Sequence, residues 1–424
     1  MTLGTAMSHR KSGKKMRTTY IDVLRGVAIL GVLFHHFFFD RIAGFSTYNE
    51  TSIFGITPFL INNGWLGVNL FFILSGTVLY RPSIILSIDS VANYYRLRCL
   101  RLWPLYFLFI FFITIIGNQG LTKFGIYTVL LLSGIHDLIP SYWMPENVCW
   151  VFWSLGVEIL FSAILPALLF AAGRLGFWNV FTAILILTFL YRSVADHVWF
   201  ELYPDYTNNF INPFKDNIFG RLDDFFIGMA AAKLSNDNFK VRKKLIIPSI
   251  TGLLFVANSW NYMNYAQHTV YNSIFASMLH IIFSMSILGV ILTIKNLTTW
   301  QSPYWLPLSY AGTTCYSAYI THAILIVHAD ELMSGRWYFA PLKFGVFVLV
   351  TFIIAGFLFV FVEASGIKHL PRWTLRVLGR NGEITSPSGI VPTPHDSVKA
   401  ARETGKPSLR TAIFARASAP RRPQ

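Results

Sequence analysis

YIDVLRGVAILGVLFHHFFF, residues 20–39, is the stretch whose reading decides the fold. It is long and apolar enough to cross a bilayer as a helix. It also carries Asp22, Arg25, His35 and His36. Ionisable groups at membrane depth are costly, so they face a bundle interior or a wet cavity and mark function. Arg25 and His36 stand eleven residues apart. At ~100° per residue that separation is about three turns plus 20°, so both side chains point to one side of the helix. A rise of 1.5 Å per residue puts them about 16 Å apart along its axis. His35 falls ~80° away from Arg25 on the same wheel and is the less aligned imidazole. This pair reads either as an anion anchor with a general base, or as a snorkelling arginine and a packing histidine.

The rest of the chain extends the membrane reading. Of 424 residues, 54% are hydrophobic and 13% charged. Apolar stretches of near-spanning length recur throughout, which predicts an all-α, polytopic transmembrane bundle. We read spans at about 20–39, 64–82, 101–117, 148–171, 178–194, 217–234, 245–262, 271–294, 307–328 and 342–363, ten in all. Residues 124–135 are apolar but short, and fit a re-entrant or interfacial helix.

Charge sets the expected topology. The net charge is +15, but residues 1–19 carry +5 and residues 365–424 carry +8. Basic tails predict that both termini are cytoplasmic in a multi-pass protein of the inner cell membrane. Residues 1–19 read as a basic tail, 20–364 as the membrane domain, and 365–424 as a basic, largely disordered tail. Loops rich in arginine and lysine alternate with acidic ones, such as 195–216 with Asp196, Glu201, Asp205 and Asp216. The lipid bilayer is the expected surrounding. Nucleic acid is not an expected partner, because no basic stripe with interleaved aromatics lies outside the tails. Three cysteines, Cys99, Cys149 and Cys315, form no CxxC pair, so neither a disulfide framework nor a metal site is expected.

Five further motifs carry polar groups into apolar surroundings. GVNLFFILSG, residues 67–76, holds Asn69 and Ser75 among small residues suited to close helix approach. RLRCLRLWPLY, residues 96–106, puts Arg98 and Arg101 three apart on one helical face, as membrane anchors or a phosphate clamp. WSLGVE, residues 153–158, contains Trp153, Ser154 and Glu158, the last near the middle of its span. FGRLDDFFIGMA, residues 219–230, brings Arg221, Asp223 and Asp224 to the end of a span. CYSAYITH, residues 315–322, brings in Tyr316, Ser317, Tyr319 and His322. Each alone is as readily packing or ion pairing as chemistry.

Taken together and in this order, these motifs resemble the acyltransferase-3 family of integral membrane O-acyltransferases, which modify cell-surface and secreted glycans. The resemblance covers most of the span region. The family's arginine, ten residues and histidine of the first span map to Arg25 and His36. Its arginines before the third span map to Arg98 and Arg101, its membrane glutamate to Glu158, and its second-span serine to Ser75. Glu158 is followed by Ile159 where many members have a second acid, and Glu363 lacks the common nearby proline.

The resemblance implies acyl transfer from a cytoplasmic acyl-CoA, most simply acetyl-CoA, to a glycan hydroxyl. Acyl-CoA is then a co-substrate, and no bound cofactor is implied. On this expectation Arg25, Arg98 and Arg101 dock the phosphates, and His36 acts as general base, with Glu158 orienting the imidazole or holding the acceptor. An acyl-histidine intermediate and succinyl transfer stay open. A transporter or flippase with charges lining a solute or proton path is the rival reading.

Overall fold

The computed structural model describes residues 20–42, 63–112, 120–138, 152–202, 212–236, 245–263, 269–295, 300, 302–326 and 339–364. Both tails and Cys149 lie outside them. Among the described residues there is no strand, and the architecture is an all-α bundle of a membrane protein. The helices are α1 (Tyr20–Ile42), α2 (Leu66–Leu79), α3 (Ile88–Phe111), α4 (Gly120–Ser133), α5 (Trp153–Leu175) and α6 (Phe177–Leu202). They continue with α7 (Ile218–Asn236), α8 (Ile246–Met263), α9 (Val270–Ile294), α10 (Leu306–Thr313), α11 (Cys315–Ile326) and α12 (Ala340–Leu358). A π-helical turn, Phe359–Glu363, extends α12.

Among the described residues five helical segments are long and apolar enough to cross a membrane: Tyr20–Phe38, Trp153–Leu175, Phe177–Leu202, Val270–Ile294 and Ala340–Glu363. Each of the ten intervals read from the sequence carries helix. The short apolar segment at 124–135 coincides with α4, a separate helix of 14 residues. Helices α6 and α12 expose rows of large apolar side chains, among them Leu187, Leu190 and Val194, and Leu349, Ile353 and Phe357. Lipid is the medium in which such rows cost nothing.

Several boundaries differ from expectation, for local reasons. Helix α3 begins at Ile88 rather than near 101, so Arg96 lies well inside it, and Arg98 and Arg101 stand three apart on one helix as the sequence reading has them. The Ser87 hydroxyl accepts from the Ser90 backbone N–H, and Asp89 occupies the first turn, two signals that start a helix. Helix α5 starts at Trp153, which moves Glu158 from the expected middle of its span to the second turn. Helix α6 runs on to Leu202, so Asp196 and Glu201 are helical rather than part of an acidic loop. The interval 307–328 is broken at Thr314 into α10 and α11.

Without water to drive apolar surfaces together, membrane helices associate by close packing. Glycines set that packing here. A Cβ on Gly312 of α10 would lie 1.7 Å from the Asp22 carbonyl oxygen, and one on Gly26 of α1 would lie 2.1 Å from that of Leu308. Gly76 of α2 and Gly228 of α7 meet the Phe225 and Ile73 carbonyls in the same way, at 2.0 and 1.9 Å. Helix α1 is therefore pressed against α10, and α2 against α7. Phe225 stacks on Phe161 with ring centroids 3.8 Å apart and on Phe72 at 4.9 Å, tying α5 to the α2–α7 pair.

Candidate functional site

Helix α1 turns both of its aligned polar side chains inward. Arg25 and His36 keep only 8% and 9% exposure, and the same element, α11, passes both. Arg25 interacts electrostatically with Cys315, at the start of α11, and with Arg101, Asp22 and Glu158. One helical stretch further on, the His322 ring lies beside that of His36, with centroids 5.4 Å apart and planes 20° from parallel. His35 is also buried and contacts the His36 ring at 5.2 Å. It is His36, the imidazole aligned with Arg25, that meets His322.

Near Arg25, Arg98 and Arg101 each face a carboxylate. Arg98 Nη2 donates to Glu158 Oε1 at 2.8 Å, and its Nε donates to Ser162 Oγ at 3.0 Å. Ser75 Oγ lies 3.5 Å from the same Glu158 oxygen. Arg101 Nε stands 3.9 Å from Glu363 Oε1, and Ser317 donates to Glu363 Oε2 at 3.0 Å. Tyr316 fixes α11 to α3 by donating to the Leu102 carbonyl at 2.6 Å. Six helices, counting the π-helical end of α12, thus contribute to one polar group of side chains. Glu158 joins the arginines: its carboxylate bonds Arg98 and Ser75.

The second part of the site holds the imidazoles. His322 Nδ1 is 2.5 Å from the Tyr319 carbonyl oxygen. A carbonyl only accepts, so Nδ1 carries the hydrogen and Nε2 the lone pair. That Nε2 is buried with no hydrogen-bond partner among the described residues. The Tyr319 ring packs on His322 at 5.1 Å, and its hydroxyl bonds Ser154 Oγ at 2.8 Å. Trp153, beside Ser154, carries the Arg221 guanidinium over its ring at 5.5 Å and packs edge-on against Phe72.

Arg221 and Asn69 do not join this column. They belong to a separate buried network between α2, α6, α7 and α9. Arg192 pairs with Asp223, Arg221 with Asp216, and Lys215 with Asp196 at 2.5 Å. His280 accepts at Nδ1 from Arg221 Nη1 at 3.0 Å and lies 3.2 Å from Asn69 Nδ2. Arginine cannot accept, so His280 carries its hydrogen on Nε2 and donates it to Asp224 at 3.0 Å. Ser284 donates to the same carboxylate. Asp223, Asp224 and His280 place possible ligand atoms within 4.8 Å of one another, the spacing of a metal set. The tautomer rules against that use, since neither ring nitrogen of His280 keeps a lone pair for an ion, and Asp223 is taken by Arg192.

Sequence reading missed Arg192, Asp196, His280 and Ser284 and gave Glu363 little weight. A signal for part of this was present. Ser273, Ser277, His280 and Ser284 recur at four, three and four residues in otherwise apolar α9, a polar stripe on one face, and all four are buried. Arg192 and Asp196 stand four apart on α6. A family model described as an acyltransferase domain matches residues 18–361, most of the chain. No curated protein and no solved structure matches it.

Proposed function

The chain belongs to the acyltransferase-3 family, and from that premise we propose that it transfers an acyl group, most simply acetyl, from acyl-CoA to a hydroxyl of a cell-surface or secreted glycan. The observation that carries this reading is the inward column on α1 and α11, with arginines at one end and paired imidazoles at the other. The phosphates of CoA dock at the arginine end. Arg25 and Arg101 supply the charge there, while Arg98, already held by Glu158 and Ser162, forms the wall. Charge-assisted bonds to phosphate in a dehydrated site are strong. The pantetheine arm covers the ~16 Å between Arg25 and His36 along the helix axis.

At the far end His36 takes the proton of the acceptor hydroxyl as its oxygen attacks the thioester carbonyl. The new C–O bond forms, the C–S bond breaks, and the proton passes from His36 to the departing thiolate. The products are the glycan ester and free CoA. A positioned base of this kind contributes about 10²–10⁴-fold. On this reading the arginine end and both basic tails face the cytoplasm, where acyl-CoA is made, in a protein that crosses the inner cell membrane several times; the positive charge of the tails supports that orientation.

Purified protein in detergent or liposomes, given acetyl-CoA labelled in the acetyl group and a glycan acceptor, should yield a labelled, base-labile ester. Movement of the acceptor across the bilayer without ester formation would favour a transporter and defeat the reading.

A further inference from the structure

The mechanism above leaves one buried group with unmet bonding capacity beside the proposed base. His322 is fully buried, and its tautomer is settled by the Tyr319 carbonyl, which takes the Nδ1 hydrogen. Its Nε2 therefore presents a lone pair with no hydrogen-bond donor among the described residues. The ring beside it is that of His36, 5.4 Å away and close to parallel. An unfilled acceptor in a low-dielectric interior is expensive and persists where a donor arrives during function.

An imidazole acting as general base works through one ring nitrogen. The hydrogen on the other nitrogen needs an acceptor, which fixes the tautomer and steadies the imidazolium formed in the reaction. Catalytic hydrogen bonds of this kind are commonly long before substrate binds and tighten afterwards.

Resting on the reading that His36 is the base, we infer that His322 is its positioning residue: His322 Nε2 accepts the hydrogen of the non-reacting nitrogen of His36 when donor and acceptor are in place. Ser154, Tyr319 and the backbone of α11 form the support. Tyr319 supplies a carbonyl to His322 Nδ1, and its hydroxyl is held by Ser154. The role is met by a neutral histidine and moves no proton of its own.

The test uses the full chain, purified and confirmed folded by thermal melting. His322→Phe keeps a ring of similar shape and removes the lone pair. His322→Gln keeps an acceptor at about the Nε2 position. The expected result is a kcat about 10²-fold lower for His322→Phe, with donor KM within about threefold of wild type, and a tenfold or better recovery in His322→Gln. Residues acting as a unit are non-additive. His36→Ala with His322→Phe should therefore be no slower than His36→Ala alone.

Wild-type kcat in His322→Phe, or losses that multiply in the double variant, would overturn the inference while leaving His36 as base. Full turnover by His36→Ala would defeat the base assignment itself, and this inference with it. A His322→Phe that fails to fold shifts the decision to His322→Gln: its kcat should be within about tenfold of wild type and fall no further on adding Ser154→Ala than Ser154→Ala does alone. Independent, multiplying losses there would again overturn it.

Discussion

Two buried polar regions lie in one bundle, and they are wired differently. In the α6–α7–α9 network each of Arg192, Arg221 and Lys215 has its own carboxylate, and Asp224 is satisfied by His280 and Ser284. Along α1 and α11 the contacts are looser. Arg98 pairs with Glu158 at 2.8 Å, Arg101 stands 3.9 Å from Glu363, and a serine is 3.5 Å from Glu158. Both regions keep buried polar atoms without a partner among the described residues, Arg192 Nε and Arg221 Nε in the network and His322 Nε2 in the column. Close one-to-one pairing holds helices in register. A loose ion pair at 3.9 Å yields more readily to an incoming anion. On the proposed function the column is the site and the network is scaffold.

The sharpest break between the two is expected at His36. His36→Ala should lower acyl transfer by about 10²–10⁴-fold with normal insertion, while His35→Ala stays within tenfold of wild type. Equal losses in both would show that the histidines matter as packing. The opposite phenotype belongs to the network. Asp223→Ala strands the buried Arg192 charge and should cost about 3–5 kcal/mol of stability, read as a lower melting temperature, with unchanged kcat per folded molecule. A normal melting temperature with lost turnover would move the network into the site.

Smaller changes sharpen the contrast within the column. Arg25→Ala should raise donor KM about tenfold with kcat little changed, the loss of one charge-assisted contact. Glu363→Gln removes a carboxylate that competes for Arg101 and should lower donor KM by about two- to threefold, the size of a loose ion pair. A raised KM in Glu363→Gln would mean that the Arg101–Glu363 contact preorganises the arginines instead of competing with the donor.

Much of this was legible in the sequence. Apolar length and tail charge gave the helical membrane class, and the 3.6-residue period put Arg25 and His36 on one flank of α1, where the structure has both buried. Which polar groups meet was not legible, because the partners are distant in the chain. Asn69 and His280 are 211 residues apart, and Arg98 and Glu158 are 60 apart. No local pattern encodes such pairings. The early start of α3 was readable from Ser87 and Asp89 but was outweighed by hydropathy, since the first turns of α3 are polar. The break at Thr314 has no Gly or Pro at its centre.

The most direct measurement is calorimetric binding of CoA to wild type, His36→Ala and Arg25→Ala in the same detergent. The expected result is wild-type affinity for His36→Ala, although its turnover is about 10²–10⁴-fold lower, and affinity about tenfold weaker for Arg25→Ala. Loss of CoA binding in His36→Ala with full binding in Arg25→Ala would contradict the division of labour along α1.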